Sequence, residues 1–396
     1  MALSSEETII LKPVKRRPGL VRATRAVVDL EAIRVNTVRI KEKIGLERKL
    51  MAVVKADGYG HGAVPVTQAV LAGGADYLAV TRPEEGRLLR ASGVRCPILV
   101  FGLIEPSEAE QVVALGLSQT VASLELAEAL DRAAARMGKK AILHLKVDTG
   151  MGRIGIQPEG ALALVRKIIR LRHVEWEGLF SHFAVADAQD KSYSLQQIDR
   201  FESVLSQLKR EGIEVPLRHF ANSAATLDLP ESYYDMVRPG LLLYGVYPSD
   251  EVSHSIPLVP AMELTTRVMA VKELPPGSSV SYGRTFTTTR TTLVATLPVG
   301  YADGYSRLLS NKAEVIVRGR RVPQIGTVCM DLTMADVSSL GDVLPGEEVV
   351  MFGRGLPVEE LARKIGTISY EILCAIGKQV PRVYLNPPEG MGNGAS

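Results

Sequence analysis

The stretch "LMAVVKADGYGHG", Leu50 to Gly62, sets an uninterrupted apolar run against one lysine and then a glycine-rich loop. An apolar run without alternation reads as a strand buried on both faces, the pattern of a parallel sheet. Lys55 ends that run. Lysine is rarely buried without a partner, so a lysine here either snorkels out of the sheet or is held for chemistry.

Further short apolar runs follow at regular intervals: "YLAV" from Tyr77, "PILVF" from Pro97, "SQTVA" from Ser118 and "AILHLKV" from Ala141. "EGLFSHF" from Glu177, "LRHFAN" from Leu217 and "DMVRPG" from Asp235 bring the total to eight. Stretches such as "SLELAEALDRAAARMG" lie between most of them, with helical spacing and a glycine end. Eight strand–helix units over about 200 residues predict an α/β fold, a (β/α)8 TIM barrel. A doubly wound open sheet is the alternative.

Before the barrel, "AVVDLEAIRVNTVRIKEKI" reads as a short strand and an amphipathic helix. Past about residue 256 the texture changes. "LTTRVMAVKEL", "SVSYGRTF", "TTLVATLPVG", "AEVIVRG", "RRVPQIGTVCMDLTMADV" and "EEVVMFG" are short, β-branched runs broken by Gly or Pro. They predict a mostly β C-terminal domain, interrupted by the helical stretch "VEELARKIGTISYEILCAIG". The expected organisation is an N-terminal arm (1–24), the barrel (25–255), the β-rich domain (256–386) and a flexible tail (387–396).

Composition excludes several classes. A chain of 396 residues with 46% hydrophobic content can bury two cores, and a net charge of +3 is too mild to imply nucleic acid. The cluster Lys15, Arg16 and Arg17 reads as a solvated arm. The opening residues hold no apolar stretch long enough for a signal peptide or membrane span. Three scattered cysteines (Cys96, Cys329, Cys374) fit a reducing compartment, which predicts a cytoplasmic protein, and no metal-ligand spacing is present.

Polar residues close the proposed barrel strands on one side: Lys55, Lys146 with Asp148 and Arg153, His182, Asn222 with Ser223, and Arg238. The C-terminal ends of barrel strands are where such folds carry their sites. A strand-end lysine among dry apolar neighbours loses part of its basicity and becomes a nucleophile toward carbonyls. "ANSAATLDLP" with Ser223, and "VRPGLLLYG" with the N–H groups of Gly240 and Leu241, could cradle a phosphate. A phosphate-bearing aldehyde cofactor would satisfy both features.

The blocks "AVVKADGYGHG", "KVDTGMGRIG", "SHFAVAD", "HFANSAAT", "VRPGLLLYG", "VSYGRTF", "PVGYADGY" and "GTVCMDLTMADV" resemble, in this order, the signature blocks of the bacterial alanine racemases. The resemblance spans roughly residues 25 to 385. It implies pyridoxal 5′-phosphate as cofactor, held by Lys55, which is also one catalytic base; Tyr282 would be the other. It implies that Tyr59, Ser223 and Tyr370, with the N–H groups of Gly240 and Leu241, bind the phosphate. Asn222, Arg153, His182 and Arg238 would complete the cofactor site, with Arg238 facing the pyridine nitrogen. Arg153 and Met330 would contact the substrate carboxylate, Tyr301 and Asp331 would line the entrance, and Lys146 corresponds to the family's barrel lysine that can become carbamylated. The implied partners are alanine and a second subunit, in a homodimer that shares its active sites. The implied role is supply of D-alanine for peptidoglycan. A racemase of broader, serine or lysine specificity is the alternative. A decarboxylase of the same architecture is disfavoured by Arg238 and Tyr282, and a non-catalytic pyridoxal-phosphate-binding protein by the β domain.

Overall fold

The computed structural model describes residues 22–387. The Lys15–Arg17 cluster and most of the expected arm and tail lie outside the described residues.

Eight parallel strands close on themselves. After β1 (Arg25–Asp29), the barrel strands are β2 (Lys49–Val53), β3 (Tyr77–Val80), β4 (Ile98–Val100), β5 (Ser118–Val121), β6 (Ala141–Lys146), β7 (Val174–Phe180), β8 (Leu217–His219) and β9 (Met236–Val237). Each falls within or overlaps one of the eight apolar runs of the sequence. Closure comes from β9 pairing with β2, Lys49 opposite Met236 and Leu50 opposite Val237, which excludes the open sheet. Helices run between most successive strands. Leu124–Met137 is typical: Ser123 caps its start, Gly138 ends it in the left-handed conformation, and Leu126, Leu130, Ala133 and Ala134 form its buried stripe.

The second domain contains β10 (Met262–Arg267), β11 (Ala270–Leu274), β12 (Ser279–Val280), β13 (Phe286–Thr287), β14 (Thr292–Leu297), β15 (Glu314–Val317), β16 (Arg320–Pro323), β17 (Thr333–Asp336), β18 (Glu348–Phe352) and β19 (Arg382–Leu385). Its main sheet runs β16-β15-β18-β10-β1-β19. Thus β1, which precedes the barrel in the chain, is a strand of the second domain's sheet. It lies antiparallel to β10 and parallel to β19. Asp29 ends β1 and immediately caps the helix Leu30–Ile44, accepting from the N–H groups of Glu31 and Ala32. The chain therefore enters through one domain and is committed to the other within a single residue. The sequence reading does not assign β19, a run of four residues of which three are only partly buried and the last, Leu385, is exposed.

The loop after β2 is where the domains meet. Arg382 of β19 donates to the carbonyl of Gly60 from two guanidinium nitrogens, at 3.0 and 2.9 Å. It also binds the carbonyls of Ile376 and Val380. Gly60 has φ +81°, and a Cβ there would fall on the carbonyl oxygen of Leu373. Gly60→Ala is therefore expected to cost about 2 kcal/mol or more, because strain and a backbone clash add. Urea unfolding checks this. An unchanged midpoint would show that the domain junction yields without cost.

Candidate active site

Lys55 is followed by a run that breaks the usual handedness. Ala56, Asp57, Gly58 and Tyr59 have φ of 52, 55, 61 and 51°. Left-handed backbone costs a non-glycine residue about 1–2 kcal/mol. The surroundings over-determine it here. Gly58 N donates to Val54 O at 2.9 Å, Gly60 N to Ala56 O at 3.0 Å and Gly62 N to Asp57 O at 2.8 Å. Glu85 accepts the N–H of Ala56, and the Asp57 carboxylate accepts that of Ala63. The turn leaves Lys55 at the end of β2 and brings Tyr59 back to the same cavity. Lys55 thus lines a cavity and does not snorkel out of the sheet.

That cavity, about 560 Å³, opens at the C-terminal ends of the barrel strands. Lys55, Lys146, Arg153 and Arg238 bring cationic side chains to it, and His182 and Asn222 line it as well. Tyr59, Ser223, Gly240 and Tyr370 lie together in its wall. The Ser223 hydroxyl accepts the N–H of Gly240 at 2.9 Å, and the rings of Tyr59 and Tyr370 are 5.8 Å apart. Glycine is required at 240, since a Cβ would strike the Tyr59 hydroxyl. Asn222 also caps the helix Ser223–Asp228, its side-chain oxygen accepting from Ala225 N at 3.0 Å. Leu241 is wholly buried beside Gly240, and its side chain does not reach the cavity.

Arg153 is carried by the loop after β6. Asp148 organises that loop, its carboxylate accepting the N–H groups of Gly150, Met151 and Gly152 at 3.0, 2.9 and 3.1 Å. Burial would raise that carboxyl, but these three donors hold it below the ordinary aspartate value. From the helix Ser192–Arg210, which follows β7, Arg200 and Tyr193 bind the carbonyls of Thr149 and Gly150.

Arg238 is buried, and its guanidinium donates to Ser181 O at 2.6 Å, Phe220 O at 2.9 Å and the Nδ1 of His219 at 3.0 Å. It lies over the Phe180 ring, and His182 Nδ1 is 3.5 Å away. None of these partners is a carboxylate. Burial lowers the Lys55 amine, and the Arg153 charge lowers it further. Lys146 is pulled down to about 7, first by burial and then by Arg238 and Arg153. Burial and Arg238 together hold His182 far below the ordinary imidazole value.

Four of the residues expected at the site lie elsewhere in this chain. Tyr282, Met330, Tyr301 and Asp331 are exposed on the second domain. Backbone contacts gather them into one patch. Thr327 donates its hydroxyl to Tyr282 O at 2.8 Å, and Tyr301 N and Ala302 N donate to the carbonyls of Cys329 and Met330. Sequence reasoning missed Glu85, Phe180 and the buried His144 and His219. Both histidines interrupt apolar barrel runs, "AILHLKV" and "LRHFAN", and that interruption was the available signal.

The family model "Alanine racemase, N-terminal domain" matches residues 28–248, and "Alanine racemase, C-terminal domain" matches 261–384. Alanine racemase of Desulforamulus reducens is 48% identical over 363 residues, 91% of this chain and 98% of that relative. The structure of alanine racemase from Clostridium difficile 630 superposes with a TM-score of 0.89 at 38% identity, covering 93% of this chain and 97% of that one. Alanine racemase from Bacillus anthracis with bound L-Ala-P gives 0.87 at 36%, covering 93% and 96%.

The electrostatics of the cavity predict that the Lys146 amine titrates near 7. Lysine-labelled protein followed by ¹⁵N NMR checks this. Arg238→Met should move the midpoint upward, since the guanidinium charge contributes to the lowering. A midpoint near the ordinary ~10.4 in the unaltered protein would contradict the burial argument.

Proposed function

The chain belongs to the alanine racemase family, a family of isomerases, and from that premise we propose that it interconverts L- and D-alanine with pyridoxal 5′-phosphate as cofactor. The observation that carries the proposal is the pairing of Lys55 and Arg238 across one cavity, with no carboxylate beside the guanidinium.

The residues present fit the cofactor. Lys55 is an amine of lowered basicity, suited to holding an aldehyde. Tyr59, Tyr370, Ser223 and the Gly240 backbone form a donor set suited to phosphate, in a cradle that a Cβ at Gly240 would fill. Asn222, His182 and Arg153 complete the wall, and Leu241 N follows Gly240 in the same turn. When bound, the cofactor delocalises the electron pair left on the α carbon as its proton departs. A guanidinium only donates, so Arg238 would leave the ring nitrogen unprotonated and the electron sink weak, which favours simple proton return over side reactions.

Inverting a carbon needs a base on each face. Lys55 would take and return the proton on one face, and Tyr282 on the other. Exposure of Tyr282 at 72%, away from its own chain's cavity, supports delivery into the cavity of a second subunit. The same patch would bring Met330, whose N–H would bind the substrate carboxylate with Arg153, and Tyr301 and Asp331, which would narrow the entrance. Lys146, its basicity lowered so that a substantial share is neutral near pH 7, could add carbon dioxide with loss of one proton, and the resulting carbamate would steady Arg153. No described helix is long and apolar enough to cross a membrane. We place the protein in the cytoplasm, acting on free alanine to supply D-alanine for peptidoglycan, without nucleic-acid or membrane partners.

Loss of circular dichroism from L-alanine in the presence of cofactor tests the activity; a protein that releases carbon dioxide or leaves the signal unchanged refutes it. Lys55→Ala should lose the visible cofactor band and about 10³-fold or more of the activity. Mixing inactive Lys55→Ala with inactive Tyr282→Phe tests sharing of the site. At random exchange about half the dimers are mixed and roughly a quarter of all sites are intact. Demonstrated exchange with no recovery would put both bases on one chain.

A further inference from the structure

Behind Arg238 a line of buried polar side chains runs through the barrel interior, away from the cavity. Arg238 Nη1 lies 3.0 Å from Nδ1 of His219. Nε2 of His219 lies 2.9 Å from Nδ1 of His144, and Nε2 of His144 lies 2.7 Å from Oε2 of Glu177. Tyr77 donates its hydroxyl to the second oxygen of Glu177 at 3.1 Å. Both imidazoles are fully buried.

We propose that Glu177 is a positioning residue for Arg238: through His144 and His219 it fixes the proton arrangement that keeps an acceptor facing the guanidinium. The inference rests on the reading of Arg238 as the partner of the cofactor's ring nitrogen. The direction of the line follows from its ends. A guanidinium can only donate, so Nδ1 of His219 must be bare and its proton must sit on Nε2. That N–H can point only at His144, whose Nδ1 must then be bare and whose Nε2 carries the proton. The proton on Nε2 in turn needs an acceptor, and an ionised Glu177, which can only accept, supplies one. Reversing any link sets two hydrogens face to face or turns a proton toward the guanidinium. Removing the acceptor at Glu177 therefore unlocks both rings.

The surroundings are built for this line. The pairing of β6 with β7 slips between Leu143 and His144, and a Cβ at Gly178 would fall on Nδ1 of His144. His219 stacks on Phe180 at 4.7 Å and 6°, the ring over which Arg238 also lies. Burial and the neighbouring guanidinium keep His219 neutral. Glu177 is opposed by burial, but the hydrogen bonds from His144 and Tyr77 hold its carboxyl below the ordinary glutamate value. The mechanism proposed above uses neither His144 nor Glu177.

The test reads tautomers directly, by long-range ¹H–¹⁵N spectra of histidine-labelled full-length protein with and without pyridoxal phosphate. The expected result is a neutral Nε2–H tautomer for both His144 and His219. Either ring as the Nδ1–H tautomer or as imidazolium in the unaltered protein overturns the proposal, whatever the variants do. Glu177→Leu should mix the tautomers of both rings and lower kcat about tenfold, with KM moved little. Glu177→Gln, whose amide oxygen still accepts, should keep the original tautomers and most of kcat. Unchanged tautomers in folded Glu177→Leu, or an Nδ1–H pattern in Glu177→Gln, also overturn it. Shifted tautomers with unchanged kcat would instead refute the part given to Arg238 in the reaction.

Discussion

Everything at the site depends on how the barrel closes. The last strand, β9, is two residues long, and it holds β2 through the pairing of Lys49 with Met236 and Leu50 with Val237. Beyond that pairing the two chains still run together, with Val53 N donating to Pro239 O at 3.1 Å. Lys55, two residues beyond β2, and Arg238, the residue after β9, therefore face one cavity, although they lie 183 positions apart in the sequence. An open sheet of the same strands would leave them on opposite edges.

Closure creates an electrostatic difficulty. Lys55, Lys146, Arg153 and Arg238 converge on one cavity, where Lys146 and Arg238 are buried and Lys55 is partly so. Burying a charge without a partner costs several kcal/mol. The lysines can relieve this by losing their protons, as the lowering of both amines indicates. Arg238 has no comparable escape, because guanidinium remains charged under ordinary conditions. It is stabilised by two carbonyl oxygens, an imidazole and the face of Phe180. Neutral acceptors leave its positive charge uncompensated toward the cavity, where a carboxylate partner would have cancelled it. The loop carrying Arg153 is organised on the same principle, with the Asp148 charge directed at three backbone N–H groups.

The barrel was legible because buried parallel strands advertise themselves as apolar runs, clearest in β2, β3 and β4, whereas β5 (SQTV) and β8 (LRH) were found by their spacing among the others. Lys55, Lys146 and Arg238 were legible because a charge that ends an apolar run must either reach solvent or be held at a polar site, and the end of a barrel strand supplies one. Three features were not. The left-handed turn at 56–59 is a backbone property; "ADGYG" reports only that glycine is near, and two of the left-handed residues, Ala56 and Asp57, give no hint of it. The membership of β1 in the second domain's sheet depends on a pairing with β10 more than two hundred residues away, which no local pattern carries. His144 and Glu177 lie on neighbouring strands, but the register slip that lines them up with His219 is invisible to alternation.

The exposed patch of the second domain obeys a different physics from the barrel end. Ser281 has φ +65°, Gly283 +73° and Arg284 +49°, so Tyr282 sits inside a strained turn. Exposed loops ordinarily relax such strain, since nothing compels them to keep it. Here Ser281 donates its hydroxyl to Thr327 O at 2.6 Å, and Thr327 donates to Tyr282 O, so two hydrogen bonds hold the turn from below. Gly326 is required beneath it, because a Cβ there would press on the Val280 carbonyl and the Ser281 side chain. The phenol itself takes no part in holding the turn, and its ring remains largely in solvent. The strain thus serves to aim outward a tyrosine that its own chain does not bury. That is the arrangement expected of a side chain whose working surroundings are supplied from outside the chain.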